Sequence, residues 1–76
     1  MLKWVKKEAG EYESFMGRFH VLKTWDRIYG DHWQLRDRNE EDYYKGLYHQ
    51  NTLMECKLMA EAILERERKN DRIHSR

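Results

Sequence analysis

Proline is absent from this 76-residue chain, and cysteine occurs once, as Cys56. With no second thiol, no intramolecular disulfide supports the fold. A lone thiol fits a reducing compartment better than a secreted one, so a cytoplasmic location is expected. Long apolar runs are missing as well. No h-region of roughly 7–15 residues follows the lysines of Met1-Leu2-Lys3-Trp4-Val5-Lys6-Lys7. Nor is there the apolar stretch of about 20 residues that a membrane span needs, so no membrane association is expected. The four glycines are scattered, with no glycine-rich loop to cradle a phosphate. Serine is equally scarce: Ser14 and Ser75 both lack the glycine-flanked turn of an activated nucleophile. No repeat or Pro/Ser-rich linker divides the chain, which reads as one domain over residues 1–76. A domain of this size buries only about 60% of the surface its unfolded chain exposes, so its stability margin is narrow.

A charge of one sign does not dominate either, since the formal net charge is +1. The balance conceals basic ends around an acidic middle. Lys3, Lys6 and Lys7 lie at one end, and Arg66, Arg68, Lys69, Arg72 and Arg76 outnumber Glu67 and Asp71 at the other. A domain built to sit on DNA phosphates usually has a pI above about 9, and this chain lacks that footprint.

What is present begins with a helix signal. Thr52-Leu53-Met54-Glu55 has the spacing of a capping box, in which the Thr hydroxyl accepts from the Glu amide and the Glu carboxylate reaches back to the Thr amide. The residues that follow are good helix formers without Gly or Pro, so a helix is expected over 52–69, with a basic tail at 70–76. Leu53, Cys56, Met59, Ala60, Ile63 and Leu64 fall on one stripe, which should face the core.

Upstream, the pattern has the period of strands. Gly17–Trp25 alternates Phe19, Val21, Lys23 and Trp25 against His20, Leu22 and Thr24. Asp31–Asp37 alternates Trp33 and Leu35 against His32, Gln34 and Arg36. The linker Asp26-Arg27-Ile28-Tyr29-Gly30 has turn chemistry. Pairing Trp25 with Asp31 sets Val21 against Leu35 and Lys23 against Trp33. The core face is then Phe19, Val21, Trp25, Trp33 and Leu35, and the histidines lie on the polar face. A third strand is expected from about Tyr43 to His49, with Gly46 a bulge or close-approach point. Residues 1–16 read as an N-terminal strand followed by an irregular segment. The expected fold is therefore α+β: a three-stranded antiparallel sheet over 17–49, with room for an extra N-terminal strand, packed on one C-terminal helix in β-β-β-α order.

Catalysis and metal binding find little support in this pattern. Cys56 lies on the buried stripe, where free cysteine packs as a small hydrophobe. His20 and His32 share the polar face, but four residues of offset at about 3.3 Å each hold them roughly 13 Å apart, too far to share a zinc. With no CxxC or HxxxH spacing, no metal, no cofactor and no enzymatic activity are expected.

Three Trp and five Tyr, by contrast, exceed what a small core can absorb. Tyr43, Tyr44 and Tyr48 are candidates for a contact surface, since aromatic side chains add rigid area at low entropic cost. Met54, Leu58 and Ala62 form a second apolar row on the helix, displaced from the main stripe and suited to a partner or a second copy of the chain. The acidic loop Asn39-Glu40-Glu41-Asp42 offers the carboxylates of Glu40, Glu41 and Asp42 to a basic groove on another protein.

The ending Gly46…Thr52-x-x-Glu55-x-Lys57-x-x-Ala60-Glu61-Ala62-Ile63-Leu64, after three strands, resembles the second half of double-stranded-RNA-binding domains. It is also similar to the three-stranded-sheet-plus-helix DNA-binding domains of phage integrases and AP2 factors. The likeness covers roughly residues 17–65 and implies the fold. It departs at the binding positions: Asn51-Thr52-Leu53-Met54-Glu55 stands where RNA-binding domains place a lysine cluster. In its compactness the chain also resembles short phage or prophage accessory proteins, which implies a small inhibitor or adaptor. The expected function is thus a non-enzymatic module that binds another protein, with a homodimer as a further expectation. The alternative is nucleic-acid binding on the open sheet face through Arg36, Arg38 and Lys45, helped by the basic ends.

Overall fold

The computed structural model describes residues 2–14 and 16–74, the side chains of 70–74 excepted. Five strands and one helix follow in order: β1 (Trp4–Glu8), β2 (Glu11–Ser14), β3 (Phe19–Asp26), β4 (Gly30–Asp37), β5 (Leu47–Gln50) and α1 (Leu53–His74). The strands form one antiparallel meander in the order β1-β2-β3-β4-β5, and α1 packs across β3, β4 and β5. The α+β class and the sheet-then-helix order agree with the sequence, but the sheet has five strands rather than three.

The central hairpin has the register expected from its alternation, with Val21 opposite Leu35, Lys23 opposite Trp33 and Trp25 opposite Asp31. Phe19, Val21 and Leu35 project toward the helix and are fully buried. Cys56 and Ala60 meet them from α1, and these small residues let the helix axis approach the sheet closely. Leu53, Met59, Ile63 and Leu64 widen that contact from the helix, as the stripe requires. Trp4, Tyr12, Trp33 and Tyr48 close its rim, so part of the aromatic surplus is core material.

Three boundaries differ from expectation, each for a local reason. The segment read as irregular contains β2, because only Tyr12 and Ser14 turn toward the core while Glu11 and Glu13 turn away. One large apolar residue in four gives no visible alternation. Ser14 is buried because its hydroxyl accepts the Phe19 amide proton at 2.9 Å. The third hairpin strand starts at Leu47 rather than Tyr43. Asp42 accepts the amides of Tyr44 and Lys45 at 3.0 and 3.4 Å, winding residues 43–46 into a turn. Gly46 ends that turn at a close approach, where a Cβ would stand 2.8 Å from the Asp37 carbonyl oxygen. At the other end, α1 continues to His74 through most of the segment read as a tail.

The capping box forms with one change. Thr52 accepts the Glu55 amide at 3.1 Å, and its hydroxyl donates to the Glu55 carboxylate at 3.0 Å, in place of the Thr52 amide.

Arg18 ties the helix to the sheet from a position the sequence did not mark. Its Nε donates to Asp37 at 2.9 Å, its Nη2 to the other Asp37 oxygen at 3.1 Å and its Nη1 to Glu67 at 2.9 Å. Asp37 is buried, so the fork supplies the charge partner its carboxylate needs away from water.

Candidate functional site

Among the described residues, two places bring together side chains at the edge of the core or outside it. The first is a groove of about 280 Å³ between the N-terminal segment and the outer side of α1, lined by Leu2, Trp4, Met54, Lys57, Leu58 and Glu61. Its two walls are joined by the Leu2 amide, which donates to the Glu61 carboxylate at 2.6 Å. Lys57 sits over the rings of Trp4 and Tyr12, at 5.9 and 5.4 Å from their centroids. Leu2 and Trp4 thus reach toward the second apolar row without covering it, since Met54 is 63% exposed and Leu58 60% exposed. Stacking one turn apart, these two residues present a continuous apolar strip beside a concave floor.

The remaining candidates for partner contact separate. Tyr44 is freely exposed and meets Tyr43 edge-on at 5.4 Å. Tyr48 is partly buried: it lies opposite Leu35 and packs on the core. Within the acidic loop, Asp42 holds its own turn and Glu40 accepts the Asp42 amide at 3.2 Å. Glu41 is exposed. Glu40 and Asp42 are exposed too, and the amides they accept are uncharged, so the loop's negative charge stands open to a basic partner.

Two of the three cations expected to serve nucleic-acid binding are engaged within the chain. The Arg36 guanidinium lies 4.4 Å from the Tyr43 ring centroid, and Arg38 donates to Glu13 at 2.9 Å and to the Gly17 carbonyl at 3.0 Å. Lys45 is exposed. On the open face His20 pairs with Glu11 at 2.8 Å, and that contact, first among several, draws the Glu11 carboxyl below its ordinary range.

The second place lies at the turn end of the central hairpin, on the face away from the helix. His32, placed by its alternation on the polar face, is only 3% exposed. The turn folds Tyr29 back so that its ring stacks on His49 at 4.5 Å and 12°, with His32 against both. His32 Nδ1 lies 2.8 Å from the Gly30 carbonyl oxygen, and an oxygen of that kind only accepts, so Nδ1 carries the proton. With the ring neutral, His32 Nε2 is then a lone pair, and His49 Nδ1 donates to it at 2.9 Å. Asp26 Oδ1 accepts the amides of Tyr29 and Ile28 at 2.6 and 2.9 Å, chiefly the Tyr29 bond holding its carboxyl below the usual range. Its other oxygen stands 3.8 Å from His32 Nε2.

The expectation of no metal rested on the separation of His20 and His32 and on the lack of CxxC or HxxxH spacing. The structure brings His32 instead to His49 and Asp26, with one donor atom from each inside a 4.8 Å cluster. His49 lies 17 residues from His32 in sequence, and β4–β5 pairing alone makes them neighbours. No spacing rule finds such a pair. Its one sequence signal was that His49 belonged to the strand expected next to the hairpin.

Cys56 is the remaining reactive group. It lies in the core, and burial pushes its thiol up to about 11, where thiolate is scarce at neutral pH. Among the described residues, no helix is long and apolar enough to cross a membrane. Compared with known proteins, the chain matches no family model, no curated protein and no solved structure.

Proposed function

We propose that the chain is a non-enzymatic module that binds another protein through the groove beside α1, as a small inhibitor or adaptor. One observation carries the reading. Met54 and Leu58 stay mostly exposed although Leu2 and Trp4 lie close enough to form a wall with them. Chain folding has thus left an apolar strip beside a concavity, the combination an amphipathic helix of a partner fills with its apolar face. Lys57 and Glu61 at the groove offer one charge of each sign for register, which suits a partner segment bearing an acid and a base next to its apolar anchors.

Nucleic-acid binding has less support. Two of the three cations it would use, Arg36 and Arg38, already face an aromatic ring and a carboxylate of the same chain. The test is capture from a nuclease-treated lysate by the wild type and by Leu58→Glu, a change on an exposed position that leaves the core alone. The expected result is a protein retained by the wild type, resistant to nuclease and lost with Leu58→Glu. Release of all bound material by nuclease overturns the reading. So does an affinity falling about 10³–10⁵-fold between 50 and 200 mM salt, the signature of phosphate contacts. Sedimentation of the two proteins tests the remaining occupant, since a wild-type dimer that Leu58→Glu converts to monomer places a second copy in the groove.

A further inference from the structure

We propose that Asp26, His32 and His49 form a binding site for one divalent late first-row ion of the Zn²⁺ class, which clips the turn end of the central hairpin to β5. The donors come from the end of β3, from β4 and from β5, and lie within 4.8 Å of one another. Two imidazoles and one carboxylate suit zinc and its neighbours, whereas Mg²⁺ and Ca²⁺ prefer oxygen alone.

Each ligand is already aimed. Metal-bound histidines commonly donate their second ring N–H to a carbonyl or carboxylate, which fixes the tautomer and turns the lone pair toward the ion. His32 does so through Nδ1 and the Gly30 carbonyl oxygen at 2.8 Å. Asp26 is held in the same manner, one oxygen taking two turn amides while the other faces His32. The Tyr29 ring, 4.5 Å from that of His49 and nearly parallel to it, holds the third ligand in place.

Little movement is needed. Ligands about 2.0–2.2 Å from zinc at tetrahedral angles stand roughly 3.3–3.6 Å apart. The two nitrogens are 2.9 Å apart, the Asp26 oxygen is 3.8 Å from His32 Nε2, and the third pair lies within 4.8 Å, so shifts of about an ångström bring all three gaps to that spacing. The ion takes the place of the hydrogen that His49 Nδ1 shares with His32 Nε2, and His49 passes to the tautomer protonated on Nε2. Three protein ligands leave the fourth position to water, on the side where Asp26 is accessible.

Such a clip supplies what this end of the sheet lacks. A chain this small has no disulfide, and metal affinity for a folded site adds directly to folding free energy.

The test uses the full chain, free of tags and stripped of metal by chelator. Titration with ZnCl2 by calorimetry is expected to show one equivalent with micromolar or tighter affinity, and the melting temperature should rise with added zinc. CoCl2 should give visible absorption from the same site. His49→Ala should weaken zinc at least about tenfold and remove the thermal shift, while His20→Ala changes neither. Asp26→Asn guards against a misfolded His49→Ala: its amide oxygen still accepts the Ile28 and Tyr29 amides, but its NH2 replaces the ligating oxygen. Asp26→Asn too should lose affinity. Absence of saturable zinc binding by the folded wild type overturns the proposal. So does binding that survives Asp26→Asn and His49→Ala, or that disappears with His20→Ala.

Discussion

Trp25 and His32 sit near the same end of the same hairpin, on opposite faces, and their burial is the reverse of what their side chains suggest. Trp25, on the helix-facing side, is 64% exposed, while His32, on the open side, is almost fully buried. Alternation puts each residue on the proper face but says nothing of what covers that face at that point. The helix covers the Phe19–Val21–Leu35 part of the sheet, and Trp25 lies outside the resulting core. His32 is covered by its own turn, through Tyr29, and by β5, through His49. A buried imidazole is tolerated there because both ring nitrogens have partners.

Substitutions can break this comparison in graded steps. Phe19→Ala, in the part of the sheet under the helix, should cost about 3–5 kcal/mol and leave little folded protein, as read by denaturant or thermal melts. Leu35→Ala should follow at about 2–5 kcal/mol by the same measurement. Arg18→Ala is expected to cost about 3 kcal/mol, because Asp37 would remain buried without its cation. His32→Ala strands the Gly30 carbonyl and the His49 ring and should cost roughly 1–3 kcal/mol. Trp25→Ala, for all its size, should fall within about 0.5 kcal/mol of wild type. A loss for Trp25→Ala as large as that for His32→Ala would show that the helix-facing side is covered to its end.

The smallest effect concerns pH. Chiefly through its hydrogen bond to Arg18, the Glu67 carboxyl titrates below the ordinary glutamate range in the folded chain. The unfolded chain takes up this proton first as acid is added. The Glu67 contribution is therefore fully present above the ordinary glutamate pKa of about 4.3, and it is lost as pH falls through the lowered folded value. Glu67 is half exposed, so solvent screening keeps the slope shallow. Chemical denaturation of the wild type and Glu67→Gln across pH 3–6 should show the curves converging at the acid end.

The candidate sites were legible to different degrees. Met54 and Leu58 could be named from helical periodicity, because a second apolar row at a spacing of four is a local pattern. That Leu2 and Trp4 build the opposite wall and leave the row open follows from no local pattern, because they lie about fifty residues away in sequence. Of the Asp26–His32–His49 cluster the sequence showed only that His49 belongs to the strand next to the hairpin. Its members were distributed among a turn, a paired strand and a strand whose start was placed four residues early.

Local chemistry alone determined the register of the central hairpin, the capped helix start, the buried stripe through Cys56 and Ala60, and the close approach at Gly46. Each depends on neighbours within a few residues or on a period of two or 3.6, and such information survives in a single chain. Only the tertiary structure decided that β2 exists, that Arg18 joins Asp37 to Glu67, that Trp25 stands in solvent and that His32 does not. Those outcomes depend on which strand lies beside which and on how far the helix reaches. Residues distant in sequence set that geometry together, and no window of the sequence contains it.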